Sequence, residues 1–314
     1  MTLPLPGPRP LDLTGLGEGM VELRADQPLG EAPHLTRASG GDVLNALVSA
    51  ARLGSRCAFI THVGDDPFGA ALRRSWQDEG LDLTHAPLVQ GENGVYFISL
   101  LPGGEREFTY RRAGSAASRI APQDVHEDAV ASSRAVLLSG ITQAISTSAQ
   151  AATLHAARLA RRHGTLIALD PNYRPALWAE RGGLNAARAA LHDLLPFTDL
   201  LLPSFPADTA LLGQPTPCAA DAARAFAALV PHVALKAGAN GAWLSDVGRV
   251  PAAPVPDVLD TTGAGDAWNG AYLHAVLHGA HEADAARRAH AVAAHAIRHR
   301  GAIPPRLHPP EIPA

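Results

Sequence analysis

The densest chemical signal in the chain is Asp260-Thr-Thr-Gly-Ala-Gly-Asp266, which runs straight into an apolar stretch over 267–277. Two glycines permit a tight turn. The helix predicted to follow would present the free N–H groups of Ala264, Gly265 and Asp266, and such a start suits an anion through its unpaired donors and its dipole. A carboxylate there repels a phosphate that only has to be bound. It makes sense if Asp266 takes the proton of an incoming hydroxyl while Gly263, Ala264 and Gly265 steady a transferring phosphoryl group. The plainer alternative is a glycine turn in which Asp266 caps a helix.

Other polar residues fall where a ligand could meet them. Gly40-Gly41 lets a ligand approach the backbone, and Asn45 offers both a donor and an acceptor to a polyol, although an ordinary helix-start turn explains them equally well. Asp170-Pro-Asn172-Tyr-Arg174 follows a buried-type strand, and open parallel sheets bind ligands beyond the carboxyl ends of their strands. Arg174 carries a planar fork suited to a carboxylate or phosphate. Tyr96, Tyr110 and Arg112 form a similar group on a hairpin, able to close over a substrate or simply to pack across strands. Lys236, Gly238 and Gly241 end another strand in a close-approach loop or a plain turn. His281, His290, His295 and His299 invite a metal reading. No Glu joins them in an H-E-x-x-H arrangement and arginines intervene, so a solvated helix face is the expectation.

Positioning these groups requires strands and helices in alternation, and the sequence supplies them. Strands are predicted over 11–17, 57–63, 135–139, 166–170, 200–202 and 233–236, with helices over 41–53, 67–79, 149–162 and 221–229. Strands separated by such helices imply right-handed crossovers and a mostly parallel sheet. Segments 95–101 and 107–112 flank Pro102-Gly103-Gly104 as a hairpin. With 20–35 it has no helix to cover it. The expectation is one α/β domain over 1–314, a three-layer α/β/α sandwich with a small β lid from about 18–36 and 92–114. Residues 304–314 read as an irregular proline-rich tail.

Composition removes whole classes of function. Of 26 basic residues only Lys236 is lysine, so a P-loop lysine is excluded and any Schiff-base chemistry would rest on that one residue. A net charge of −4 argues against a nucleic-acid partner. Two cysteines, Cys57 and Cys218, cannot build a disulfide framework or a cysteine zinc site. With no signal-like start and no long apolar run, neither a membrane nor export is expected, and the cytoplasm is the simplest location.

Taken together, Gly40-Gly41 with Asn45 and Leu53-Gly54, then Val63-Gly-Asp-Asp-Pro-Phe-Gly69, then Asp260 to Asp266, resemble the ribokinase-like (PfkB-type) sugar kinases over about residues 11–302. Tyr110-Arg-Arg112-Ala-Gly-Ser-Ala116, Leu138-Ser-Gly-Ile-Thr142 and Asp170-Pro-Asn-Tyr-Arg174-Pro-Ala-Leu-Trp178 are most similar to the members acting on 2-keto-3-deoxygluconate. The resemblance implies ATP, Mg²⁺, frequent homo-oligomers and phosphorylation of a sugar acid at its primary hydroxyl. Asp266 would be the base. Gly41, Tyr96, Tyr110, Arg112 and Arg174 would contact the sugar, joined by Gly40, Asn45 and Asn172. Ser204, Lys236, Gly238, Gly241 and His290 would face the nucleotide, with His290 where ribokinases carry an Asn. The family's Asn-x-x-Glu metal motif corresponds here to Ser204-Phe-Pro-Ala207, which shifts the acidic position to Asp208. Kinases for fructose, ribose or a nucleoside, and a catalytically silent sensor, are the alternatives.

Overall fold

The computed structural model describes residues 3–101 and 106–306. Period-two alternation along the strands decides the layers, because successive side chains enter opposite faces of a sheet. Leu13, Ala135, Leu137, Ala168 and Leu200 fill one face. Leu16, Val136, Leu138, Ile167, Leu169 and Leu201 fill the other. Each fully buried leucine of this kind contributes roughly 1.5–3 kcal/mol relative to exposure.

The strands form a nine-stranded sheet in the order Gly248–Val250, Ala242–Leu244, His232–Lys236, Leu200–Leu201, Leu166–Asp170, Ser133–Ser139, Leu11–Leu16, Cys57–Ile60, Leu81–Asp82. Pairing is parallel from His232–Lys236 to Leu81–Asp82 and antiparallel at the opposite edge. The chain builds outward from Leu11–Leu16 in one direction, then in the other from Ser133–Ser139. The crevice between these two strands is therefore where a ligand is expected.

Helices Asp42–Arg52, Ala264–Leu277 and Glu282–Ala296 cover the first face. Thr147–His163, Gly183–Leu194 and Ala219–Ala227 cover the second, which completes the three layers read from the sequence. With few aromatics, packing relies on small residues that let helices come close. A Cβ on Gly270 would lie 2.0 Å from the Ala46 carbonyl oxygen. That tight crossing of Asp42–Arg52 with Ala264–Leu277 brings Asn45 against Asp266.

A smaller sheet, ordered Thr36–Gly40, Met20–Arg24, Val95–Leu100, Arg106–Arg111, stands apart from the main one. Its third and fourth strands are the expected hairpin, with Tyr96 opposite Tyr110, while the turn at 102–104 lies outside the described residues. The strand Thr36–Gly40 runs past the expected boundary at 36 and delivers Gly40-Gly41 to the site. Short strands the sequence does not announce are Val63–Gly64 with Leu88–Val89, Leu81–Asp82 and the edge hairpin of Ala242–Leu244 with Gly248–Val250. Two or three residues are too few to display a period. The start of the tail is anchored, since Pro304 and Pro305 carbonyls accept hydrogen bonds from Arg52 and His295. No helix among the described residues is long and apolar enough to cross a membrane.

Candidate active site

Two cavities open at the carboxyl ends of the parallel strands and share Thr261, one on each side of the helix start Ala264–Leu277. The first has a volume of about 570 Å³ and is polar, walled by Gly41, Asp42, Asn45, Asn172, Arg174 and Asp266 beneath Tyr96, Tyr110 and Arg112 of the smaller sheet. The second, of about 420 Å³, is apolar: Val255, Val258, Trp268 and Ile297 line it with Ser204, Lys236, Gly238, Gly241, Gly265 and His290.

The wall between them is the glycine turn. Gly263 is left-handed at φ 72°, and a Cβ there would lie 2.5 Å from the Ala302 carbonyl oxygen, so only glycine fits. Asp260 ties the loop by accepting the N–H groups of Thr262 and Gly301, both at 2.9 Å, and by pairing with Arg106 at 3.1 Å. Burial alone would raise its pKa, but those donors outweigh burial and hold its carboxyl below the usual range. The first helical bond runs from Ala267 N–H to Gly263 at 2.8 Å, so the N–H groups of Gly265 and Asp266 precede it. Ala264, expected to be a third free donor, instead bonds the Thr261 carbonyl at 3.3 Å. A Cβ added at Gly265 meets no protein atom within 4 Å: space is left there for something else.

Asp266 faces the polar cavity and accepts a 2.9 Å hydrogen bond from the Asn45 amide. Burial, then the charge of Asp42, push its carboxyl up to about 7. Asp42 itself accepts the Ser139 hydroxyl and, at 3.2 Å, the Asn172 amide, and burial raises its pKa first, with Asp170 adding to the shift. Carboxylates crowded in one low-dielectric pocket cannot all ionise freely, which is how a protein prepares a proton acceptor near neutral pH.

Around them the two arginines differ. Arg112 is buried, ion-paired with Glu18 and set over the Tyr110 ring at 5.3 Å. Burial pulls its pKa down to about 10, which leaves it charged at neutral pH. Arg174 bonds only the Tyr173 carbonyl, at 3.1 Å, and makes no ion pair among the described residues. Tyr96 donates its hydroxyl to Glu22 and stacks on Tyr110 at 5.8 Å. The glycine pair is steric in origin. A Cβ at Gly40 would strike the Tyr96 hydroxyl at 2.2 Å, and one at Gly41 the Glu18 carbonyl at 2.0 Å.

On the apolar side, His290 accepts from the Trp268 indole at 3.1 Å and lies 3.2 Å from the Val250 carbonyl. Burial lowers its pKa, consistent with a neutral ring. Lys236, far from being a nucleophile, sits at 2.8 Å from both Asp170 and Asn269, buried beneath the junction of the cavities. Asp208 is brought to neither cavity. It is fully buried, its oxygens accept the N–H groups of Tyr173 and Ser204 at 2.7 and 2.6 Å, and burial followed by Asp170 raises its pKa to about 6. Its geometry is that of a structural brace rather than the metal position expected for it. The four histidines do not converge either, and His295 lies against His299 with ring centres 4.4 Å apart and the planes tilted by 45°. Sequence reasoning passed over Glu18, Asp42 and Asn269. Only Asp42 had a local signal, as the acid inside Gly41-Asp42-x-x-Asn45.

A buried carboxylate with a raised pKa in a polar cavity, beside a glycine helix start whose free N–H groups border a second cavity, is an arrangement that suits phosphoryl transfer. Residues 12–308 match the family described as pfkB family carbohydrate kinase. The chain belongs to that family and is a sugar kinase. It is 36% identical over 74% of its length to a 2-dehydro-3-deoxygluconokinase of Thermoproteus tenax, of which 71% is covered. It is 34% identical to that of Dickeya dadantii, covering 92% of this chain and 96% of the relative. Among solved structures, a PfkB protein of Polaromonas sp. JS666 superposes with a TM-score of 0.83 at 30% identity, covering 92% and 96% of the two chains. An E. coli protein described as a ribokinase II, solved with ATP and Mg²⁺, also reaches 0.83, at 26% identity over 93% and 94%.

Proposed function

We propose that this kinase transfers the terminal phosphoryl group of ATP to the primary hydroxyl of 2-keto-3-deoxygluconate, giving the 6-phosphate. The observation that carries the choice is Arg174, a guanidinium that makes no ion pair among the described residues, on the wall of the polar cavity that also holds Asp266. A sugar acid supplies the missing carboxylate, and such charge-assisted, bidentate pairs are the strong ones. Arg112 would reinforce it from the smaller sheet. Asn45, Asn172 and the Gly40-Gly41 backbone would meet the hydroxyls, and Tyr96 and Tyr110 would shield them from water.

The apolar cavity fits a nucleotide: Val255, Val258, Trp268 and Ile297 offer a base its faces, and Gly238, Gly241 and Gly265 leave its phosphates room. ATP supplies the phosphoryl donor. Asp266 would take the hydroxyl proton as that oxygen attacks phosphorus and the bond to ADP breaks, while the Gly265 and Asp266 amides hold the developing charge. Asp208 does not fit direct ligation of Mg²⁺, and no step is assigned to it. The reading implies a compartment that holds ATP, with the cytoplasm expected, and association into homo-oligomers.

Glu18 favours a second reading. By neutralising Arg112 it halves the positive charge offered to an acid, and a neutral hexose or pentose would then suffice. Turnover of the keto acid against fructose and ribose, in wild type and Arg174→Ala, separates the two. The proposal expects a loss of roughly 10–100-fold in kcat/KM for the acid, the worth of a hydrogen-bonded charge pair, and little change for neutral sugars. Equal losses for both would remove the carboxylate from the argument.

A further inference from the structure

The strand that ends in Lys236 begins in His232, at the far end of the sheet from the cavities. His232 is 1% exposed, and neither ring nitrogen has a hydrogen-bond partner among the described residues. A buried imidazole left unpaired is costly, and such groups call for an explanation. Its Nδ1 faces Glu282 Oε1 at 3.8 Å and Asp246 Oδ2 at 3.9 Å. The three side chains bring one ligand atom each within 4.8 Å of the others.

Three separate elements converge here. Asp246 lies in the turn joining Ala242–Leu244 to Gly248–Val250, and Glu282 opens the helix Glu282–Ala296. The Tyr272 hydroxyl lies 3.4 Å from Glu282 Oε2, which leaves Oε1 directed at the imidazole. A polar partner on the second oxygen is the usual way a ligating carboxylate is oriented. Asp246, 38% exposed, opens the cluster to solvent.

We propose that His232, Asp246 and Glu282 bind one divalent cation of the zinc class. An imidazole with two carboxylates suits a borderline metal, whereas Mg²⁺ and Ca²⁺ favour all-oxygen shells. Zinc bonds of about 2.0–2.2 Å place tetrahedral ligand atoms roughly 3.4 Å apart. The two histidine–carboxylate separations are wider by about half an ångström; the exposed Asp246 turn can close one, and a small rotation of the Glu282 side chain the other. Three protein ligands leave a fourth position for water. The ion would bind together the strand leading to Lys236, the helix carrying His290 and the hairpin leading to Val250, all elements that build the apolar cavity. The site stands whether or not the sugar assignment holds.

Metal-stripped protein titrated with Co²⁺, followed by visible absorption and displacement with Zn²⁺, tests the assignment. One equivalent is expected in wild type, together with a rise of several degrees in Tm on adding Zn²⁺. Asp246→Asn, on an exposed turn, and His232→Gln should each lose that equivalent and the Tm response while staying folded by circular dichroism. Turnover with saturating MgATP should persist in Asp246→Asn. Folded wild type that takes up no Co²⁺ overturns the proposal. So does equal uptake by both variants, which would move the ion to another group such as His85, His126 and Asp128.

Discussion

The two cavities that meet at Gly263–Asp266 are built from opposite materials. The polar one presents Asp42, Asp266, Arg112 and Arg174, a lining suited to selection by charge and hydrogen bonds. The apolar one presents Val255, Val258, Trp268 and glycine backbone, a lining suited to selection by shape. The contrast fits the chemistry. An acceptor hydroxyl must be aligned with a base to within a fraction of an ångström, whereas a nucleotide base need only be held while its phosphates reach the helix start. Substitutions on the two sides should therefore fail differently.

The widest separation is expected at Asp266. Asp266→Asn preserves shape and the Asn45 contact region but removes the proton acceptor, so kcat should fall about 10²–10⁴-fold. Nucleotide affinity, read by calorimetry, should hold. A variant that turned over normally would strip Asp266 of its role.

Gly265→Ala probes the other side. The added methyl meets no protein atom and replaces glycine inside a helix, which stabilises helices by roughly 1 kcal/mol, so Tm should rise or hold. KM for ATP should nonetheless increase about tenfold, near 1.4 kcal/mol of lost binding, because the methyl enters the nucleotide space. An unchanged KM would leave the apolar cavity without its occupant.

A smaller effect should appear with pH. Asp266 is raised to about 7 in the folded state from 3.8, so the folded protein holds its proton more tightly than the unfolded chain. The resulting stabilisation is complete below 3.8 and is lost as pH rises through about 7. Relative to Asp266→Asn, wild type should lose stability between pH 4 and 8 while its turnover rises with an inflection near 7. Parallel stability curves for the two proteins would show that Asp266 is not perturbed by its neighbours.

The same contrast explains what could be read without a structure. Strands such as Leu166–Asp170 and Ser133–Ser139 announce themselves because burial on both faces makes unbroken apolar runs. Asp260 to Asp266 is legible because two glycines and an acid before an apolar helix are a local pattern. Glu18 and Asn269 are not, since their meaning comes from partners far along the chain, Arg112 and Asp170. Asp42 carries only the faint signal of an acid beside Gly41, and the acidic position read at Asp208 braces two turns once tertiary contacts are in place, while Asp42 faces a cavity. The apolar cavity offers the least local signal of all: Ala252, Val255 and Ile297 are ordinary core-type residues until the fold leaves them lining a space.

The central claim, that these cavities pass a phosphoryl group to the primary hydroxyl of a sugar acid, is tested most directly by ³¹P NMR of the purified protein with MgATP and 2-keto-3-deoxygluconate. ADP and a phosphomonoester on C6 are expected in equal amounts, formed faster than from fructose or ribose. ADP appearing with free phosphate alone, or faster turnover of a neutral sugar, would contradict it.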